Sequence, residues 1–134
     1  MNHNQIETKS ILIKLSNKTP VKIQENEWPI IAHGNYKDYD NQFRFQANRA
    51  TDLYVKVRQH IDGRAIIYGR FHYSTNFQNE RDNSQYAGYV IDAGDDIIET
   101  IQRVGRNLIE RLVDPCLVRD VINQCIEDLP AERL

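Results

Sequence analysis

LYVKVRQHIDGRAIIYGRFHY, residues 53 to 73, decides the fold. Leu53, Val55 and Val57 alternate with Tyr54, Lys56 and Arg58, the period-2 pattern of a strand with one buried face. Asp62-Gly63 interrupts the pattern, because glycine adopts a positive φ without steric cost. A two-residue turn there would pair Val57 with Tyr68 and mix the two faces. A three-residue loop, Ile61-Asp62-Gly63, pairs Val57 with Ile67, Val55 with Gly69 and Leu53 with Phe71. A one-residue slip inverts every side chain, so burial selects the three-residue loop. One face then carries Leu53, Val55, Val57, Ile67, Gly69, Phe71 and Tyr73. The other carries Tyr54, Lys56, Arg58, Ile66, Tyr68, Arg70 and His72.

Working outward, residues 5 to 17 fit a short helix through Ile6, Ile11, Leu12 and Leu15. They fit a strand equally through Ile11, Ile13 and Leu15. The Ser16-Asn17-Lys18-Thr19-Pro20 stop favours a short N-terminal helix. Val21-Lys22-Ile23 reads as a brief extended piece, and Ile30-Ile31-Ala32-His33 as a strand entered through Pro29. Residues 36 to 41 are polar and turn-rich. Phe43, Phe45 and Ala47 alternate with polar residues as a further strand. The polar stretch 74 to 85 predicts a long loop, anchored by Phe77, of the length at which loops often carry function. Tyr86 to Ile91 reads as the last strand.

Two helices close the chain. Ile97, Ile98, Ile101, Val104, Leu108, Ile109 and Leu112 recur at helical spacing over about 96 to 113, after a cap at Asp95. Gly105 on that stripe predicts a close approach to the sheet. Asp114-Pro115 is an N-cap followed by proline at the first helical position, opening a helix over about 115 to 128. The expected architecture is α+β: one domain over residues 1 to 134, an antiparallel sheet of four to five strands, and two C-terminal helices packed on one face. The Tyr54/Lys56/Arg58/Tyr68/Arg70/His72 face is then expected to point outward.

Composition narrows the function classes. The 134 residues carry a net charge of −2, unevenly spread. Residues 42 to 73 hold six Lys/Arg against two acids, a local +4, and residues 74 to 134 six against twelve, a local −6. Such polarity serves either to attract the two regions to each other or to meet charged partners. The two cysteines, Cys116 and Cys125, fall in a helical pattern and read as small core residues. No apolar run approaches the ~18 residues of a membrane span, and no leader pattern opens the chain. A soluble cytoplasmic protein without membrane association is expected.

No metalloprotease, nucleophile-elbow or phosphate-loop motif occurs. His60 and His72 lie at opposite ends of the hairpin and should not share a metal. Asp38 and Asp40 sit where turn acids are common. Asp52 and Lys56 resemble part of the carboxylate-and-lysine set of some nucleases, but no second acid stands at fitting spacing. The expectation is therefore a protein that is not an enzyme and needs no cofactor. The binding residues expected are Tyr54, Lys56, Arg58, Tyr68, Arg70 and His72. Aromatics between cations suit a single-stranded nucleic-acid platform, and Tyr and Arg are equally the favoured anchors of protein interfaces.

Gln46-Ala47-Asn48-Arg49, Val57-Arg58-Gln59-His60, Asp62-Gly63-Arg64, Tyr68-Gly69 and Asp128-Leu129-Pro130-Ala131-Glu132 together resemble a set of small proteins carried by bacterial phages and plasmids. The resemblance covers about residues 20 to 134 and brings no catalytic motif. Accessory proteins of such elements include anti-CRISPR and other anti-defence inhibitors, to which the chain is similar in size, single-domain build and charge polarity. That class implies an inhibitor or adaptor that binds a host nucleic-acid-handling complex, through the basic sheet face or through an acidic helical half mimicking phosphates. The alternative is a nucleic-acid-binding module. Open sheet edges also leave room for homodimer formation by strand pairing.

Overall fold

The computed structural model describes residues 9–40, 49–109 and 114–131. Strands β1 (Ser10–Ile13) and β2 (Val21–Gln24) form an antiparallel hairpin, followed by one 3₁₀ turn over Glu25–Glu27. Strands β3 (Ile30–Asp40), β4 (Arg49–Gln59), β5 (Ala65–Thr75) and β6 (Asn83–Ile91) form an antiparallel meander in that order. Helices α1 (Ile97–Ile109) and α2 (Pro115–Asp128) then cover one face of it, so the chain is α+β with its C-terminal helices on the sheet.

The central hairpin has the register that burial selects. Val57 pairs with Ile67, Val55 with Gly69 and Leu53 with Phe71. Gly63 has a φ of 96°, and its N–H donates to the His60 carbonyl at 2.9 Å. Val55, Val57 and Ile67 are fully buried against Ile101, Val104 and Leu108 of α1 and Val118, Val121 and Cys125 of α2. Burying each such side chain is worth about 1.5–3 kcal/mol, which makes this layer the main core. The Asp114 carboxylate caps α2 by accepting from the Cys116 N–H at 2.9 Å, with Pro115 in the first turn. At α1 the capping oxygen belongs to Asp96, which accepts from the Glu99 N–H at 3.1 Å, one residue later than the sequence suggested.

Several expectations need correction. The N-terminal segment is a strand in its described part, because Ile11 and Ile13 alternate with exposed Ser10 and Leu12. Residues 36–40 continue β3 rather than turning, since pairing with β4 from Tyr36↔Leu53 to Asp40↔Arg49 requires no apolar alternation. The strand expected over 43–47 lies outside the described residues. The polar loop shrinks to 76–82, because β5 runs to Thr75 and β6 starts at Asn83. Gly105 admits α2, not the sheet: a Cβ there would stand 2.8 Å from Ile122 Cδ1. Close approach to the sheet occurs instead at Gly34, where a Cβ would collide with the Val121 carbonyl oxygen and lie 3.0 Å from the Cys125 nitrogen. Only Cys125 is buried, and burial pushes its thiol up to about 12; Cys116 is exposed.

A second core lies on the other side of the sheet. Ile13, Ile23 and Trp28 pack on Ile66 and Tyr68. The N-terminal hairpin thus covers the end of the face that was expected to be open. Both outer strands of the meander are partly guarded. On β3, the His33 N–H donates to Asp128 Oδ2 at 2.9 Å and the Asn35 N–H to Gln124 Oε1 at 3.2 Å. On β6, Gly88 exchanges two bonds with Ser16, its N–H to Ser16 Oγ at 3.0 Å and its carbonyl from the Ser16 N–H at 2.9 Å.

Candidate basic groove on the sheet face

Register places four rows of side chains across the face opposite the helices. Ile30, Arg58, Ile66 and Val90 form the first, and His33, Lys56, Tyr68 and Gly88 the second. Asn35, Tyr54, Arg70 and Tyr86 form the third; Lys37, Asp52, His72 and Ser84 form the fourth. The N-terminal hairpin closes over the middle of the first two rows, at Arg58, Ile66, Tyr68 and Gly88, and leaves Ile30, His33 and Val90 exposed. The last two stay open.

This divides the six expected binding residues. Arg58 and Tyr68 are withdrawn from solvent, at 5% and 8% exposure. The Arg58 guanidinium donates through Nε to the Tyr68 hydroxyl at 2.8 Å and through Nη1 to the Trp28 carbonyl at 3.0 Å. A buried guanidinium persists because it is hydrogen-bonded, so Arg58 ties the segment at Trp28, between the 3₁₀ turn and β3, to the sheet and presents nothing outward. The other four remain accessible. Lys56 and Arg70 line a groove of about 390 Å³ with His33, Asn35, Lys37, Asp52 and Tyr54. A neighbouring hollow of about 330 Å³ continues from Tyr54, Lys56 and Arg70 under Lys14 and beside Tyr86.

The groove is electropositive. Lys37, Lys56 and Arg70 face one acid, Asp52. Burial depresses the Lys56 ammonium below the ordinary lysine range, and Arg58 and Lys37 push it further. His33 is likewise lowered, by burial first and then by Lys56, with Asp128 opposing. Each cation therefore raises the cost of its neighbours' charge. Lys37 stands opposite Asp52 across the strands and Arg70 stands diagonal to it, yet Asp52 Oδ1 and Arg70 Nε are buried with no hydrogen-bond partner among the described residues.

The rings are already partly engaged. Lys56 Nζ lies 4.6 Å from the centroid of Tyr54, whose edge meets Tyr68 at 6.2 Å between centroids. Burial raises the Tyr54 phenol above the usual tyrosine range. Tyr86, at 40% exposure, lies under Lys14 at 4.3 Å and near Arg70 at 5.7 Å. The groove's rings and cations are thus paired with one another, Lys56 with Tyr54 and Arg70 with Tyr86. His72 sits at its far end, bonded through Nδ1 to Ser84 Oγ at 2.5 Å.

Lys14, His33, Lys37 and Tyr86 join the site without having been singled out in the sequence. Lys37 lay in the stretch taken for a turn, and the alternation Asn35-Lys37 would have placed it on this face had that stretch been read as a strand. The 76–82 loop does not join. Its Glu80 carboxylate is held by Arg49 at 3.0 and 3.1 Å and by the Thr75 hydroxyl at 2.8 Å. His60 stacks on Trp28 at 5.0 Å, remote from His72, and among the described residues no three His, Cys, Asp or Glu side chains gather to hold a metal ion. No helix among the described residues is long and apolar enough to cross a membrane. No protein-family model, no curated protein and no solved structure matches the chain.

Proposed function

We propose that the chain is a non-enzymatic inhibitor or adaptor that acts by docking on a partner complex. Its setting is that of the mobile-element accessory proteins it resembles, and its target a host complex that handles nucleic acid. The observation that supports this reading is charge separation across the sheet. The helical side exposes Asp96, Glu99, Asp120, Glu127 and Asp128 against Arg103, Arg106 and Arg119, an acidic excess, and the opposite face exposes the Lys37/Lys56/Arg70 groove. The two regions meet at the β3 edge, where Asp128 accepts from the His33 N–H, and otherwise lie on opposite faces of the sheet. Complementary potentials of this kind set encounter rate and orientation more than raw affinity. The acidic layer suits a channel built for phosphates, and the groove suits an acidic partner surface.

The test is capture from host lysate with the tagged protein, in nuclease-treated and untreated halves, alongside Lys56→Glu/Arg70→Glu and Asp120→Lys/Glu127→Lys variants. The reading expects one stoichiometric protein partner that survives nuclease and is lost with one of the two variants. Partners that disappear with nuclease would overturn it in favour of a nucleic-acid-binding module using Tyr54, Lys56, Arg70 and His72. The electropositive groove itself favours that second reading, and binding would then weaken steeply with salt.

A further inference from the structure

The groove contains two complementary unmet needs. Arg70 Nε is a buried donor and Asp52 Oδ1 a buried acceptor, and neither has a hydrogen-bond partner among the described residues. Leaving such atoms unpaired is destabilising, and a fold has simple means of avoiding that. Asp52 and Arg70 both line the groove, on adjacent strands, in diagonal positions. Diagonal neighbours stand about 7–8 Å apart between Cα atoms, within reach of a long side chain such as arginine's, yet these two atoms are not bonded to each other. The groove's volume of about 390 Å³ falls within the range of small-molecule sites.

We propose that this groove is a ribonucleotide site, in which a phosphate is held between Lys56 and Arg70 and a ribose hydroxyl donates to Asp52. A ligand here must carry an anion at one end, because Lys56 and Arg70 line that part of the floor. It must carry a neutral donor a few ångströms away, because a carboxylate set among cations accepts a hydroxyl without adding another positive charge. A nucleotide unites the two on one rigid sugar. An acidic peptide supplies the anion but places no hydroxyl at a fixed distance from it. Asp52 is the feature that separates the cases: it repels a bare polyanion and is satisfied by a sugar. Tyr54 lines the groove beside Lys56 and Arg70, and Tyr86 lines the neighbouring hollow. The depressed Lys56 and His33 basicities accord with a cation cluster that an anion would relieve.

The inference stands apart from the partner reading, since it concerns a small ligand and requires no lysate protein. It is tested by calorimetric titration of the full chain with 5′-AMP, 2′-deoxy-5′-AMP, inorganic phosphate and a hexaglutamate peptide. Parent, Arg70→Gln and Asp52→Asn proteins are compared, and thermal melts establish that both variants are folded. The expected pattern is 5′-AMP binding that weakens at least tenfold in Arg70→Gln. Asp52→Asn and removal of the 2′-hydroxyl should each weaken nucleotide binding severalfold, whereas Asp52→Asn should tighten the binding of inorganic phosphate. No heat with millimolar 5′-AMP overturns the proposal. So does hexaglutamate binding more tightly than 5′-AMP, or Asp52→Asn binding 5′-AMP as the parent does. Those results leave the capture experiment untouched, so the two readings fail separately.

Discussion

Replacing Arg58 by methionine separates a fastening role from a surface role. Methionine keeps the apolar stem that packs between Trp28 and Tyr68 and removes only the guanidinium. Two acceptors then lose their donor in a closed interface, the Trp28 carbonyl at 3.0 Å and the Tyr68 hydroxyl at 2.8 Å. Each stranded acceptor costs about 1–3 kcal/mol, so the substitution should destabilise by about 3 kcal/mol. For a chain of 134 residues that corresponds to a melting temperature lower by about 10 °C. Adding Tyr68→Phe removes one of the stranded groups. The double variant should therefore be more stable than the sum of the singles by about 1 kcal/mol, the signature of coupled partners. Urea denaturation followed by circular dichroism measures all three. An Arg58→Met protein within ~0.5 kcal/mol of the parent, or strictly additive variants, would show that water already serves these groups and that Arg58 is a surface residue.

Other substitutions test other parts of the fold. Gly34→Ala drives a methyl into the backbone of α2 at Val121 and Cys125, where no side chain can give way; a loss of about 3 kcal/mol in chemical denaturation is expected. Asp114→Ala removes the cap on the Cys116 N–H and should cost about 1 kcal/mol, whereas Asp114→Ser should retain most of the stability. His33 binds its proton less readily folded than unfolded. Its contribution is therefore fully present above the unfolded pKa of about 6.5 and is lost as pH falls from there through the lower folded value. Urea midpoints at pH 7.5 and 5.5 should diverge less in His33→Gln than in the parent.

What the sequence made legible is what local chemistry decides. Gly63 and the burial pattern set the hairpin register, helical periodicity marked α1 and α2, and Asp114-Pro115 marked the start of the second helix. What it hid depends on contacts between distant segments. Nothing near Arg58 or Tyr68 announces that Trp28, 30 residues before Arg58, will seal them in. The four-residue β1 is too short for its alternation to outweigh a competing helical reading. Strands β3 and β4 extend beyond their apolar alternation because a ladder is closed by backbone groups, to which Lys37, Asp38 and Thr51 are as good as valine. The site was legible as a composition, cations among tyrosines. Its extent was not, since only the placement of the N-terminal hairpin determines which half of that face meets solvent.

The guard on β3 has a consequence for synthesis. His33 and Asp128 are separated by 95 residues, and Asn35 and Gln124 by 89. At 5–20 residues per second, the ribosome completes the guard about 5–20 s after the strand it protects has been made. During that interval the amides of His33 and Asn35 form an open template for any passing strand. Products that terminate before Gln124 never close it. Premature termination should therefore yield chains that associate through β3, and the last two turns of α2 serve the newborn protein as its protection against its own kind.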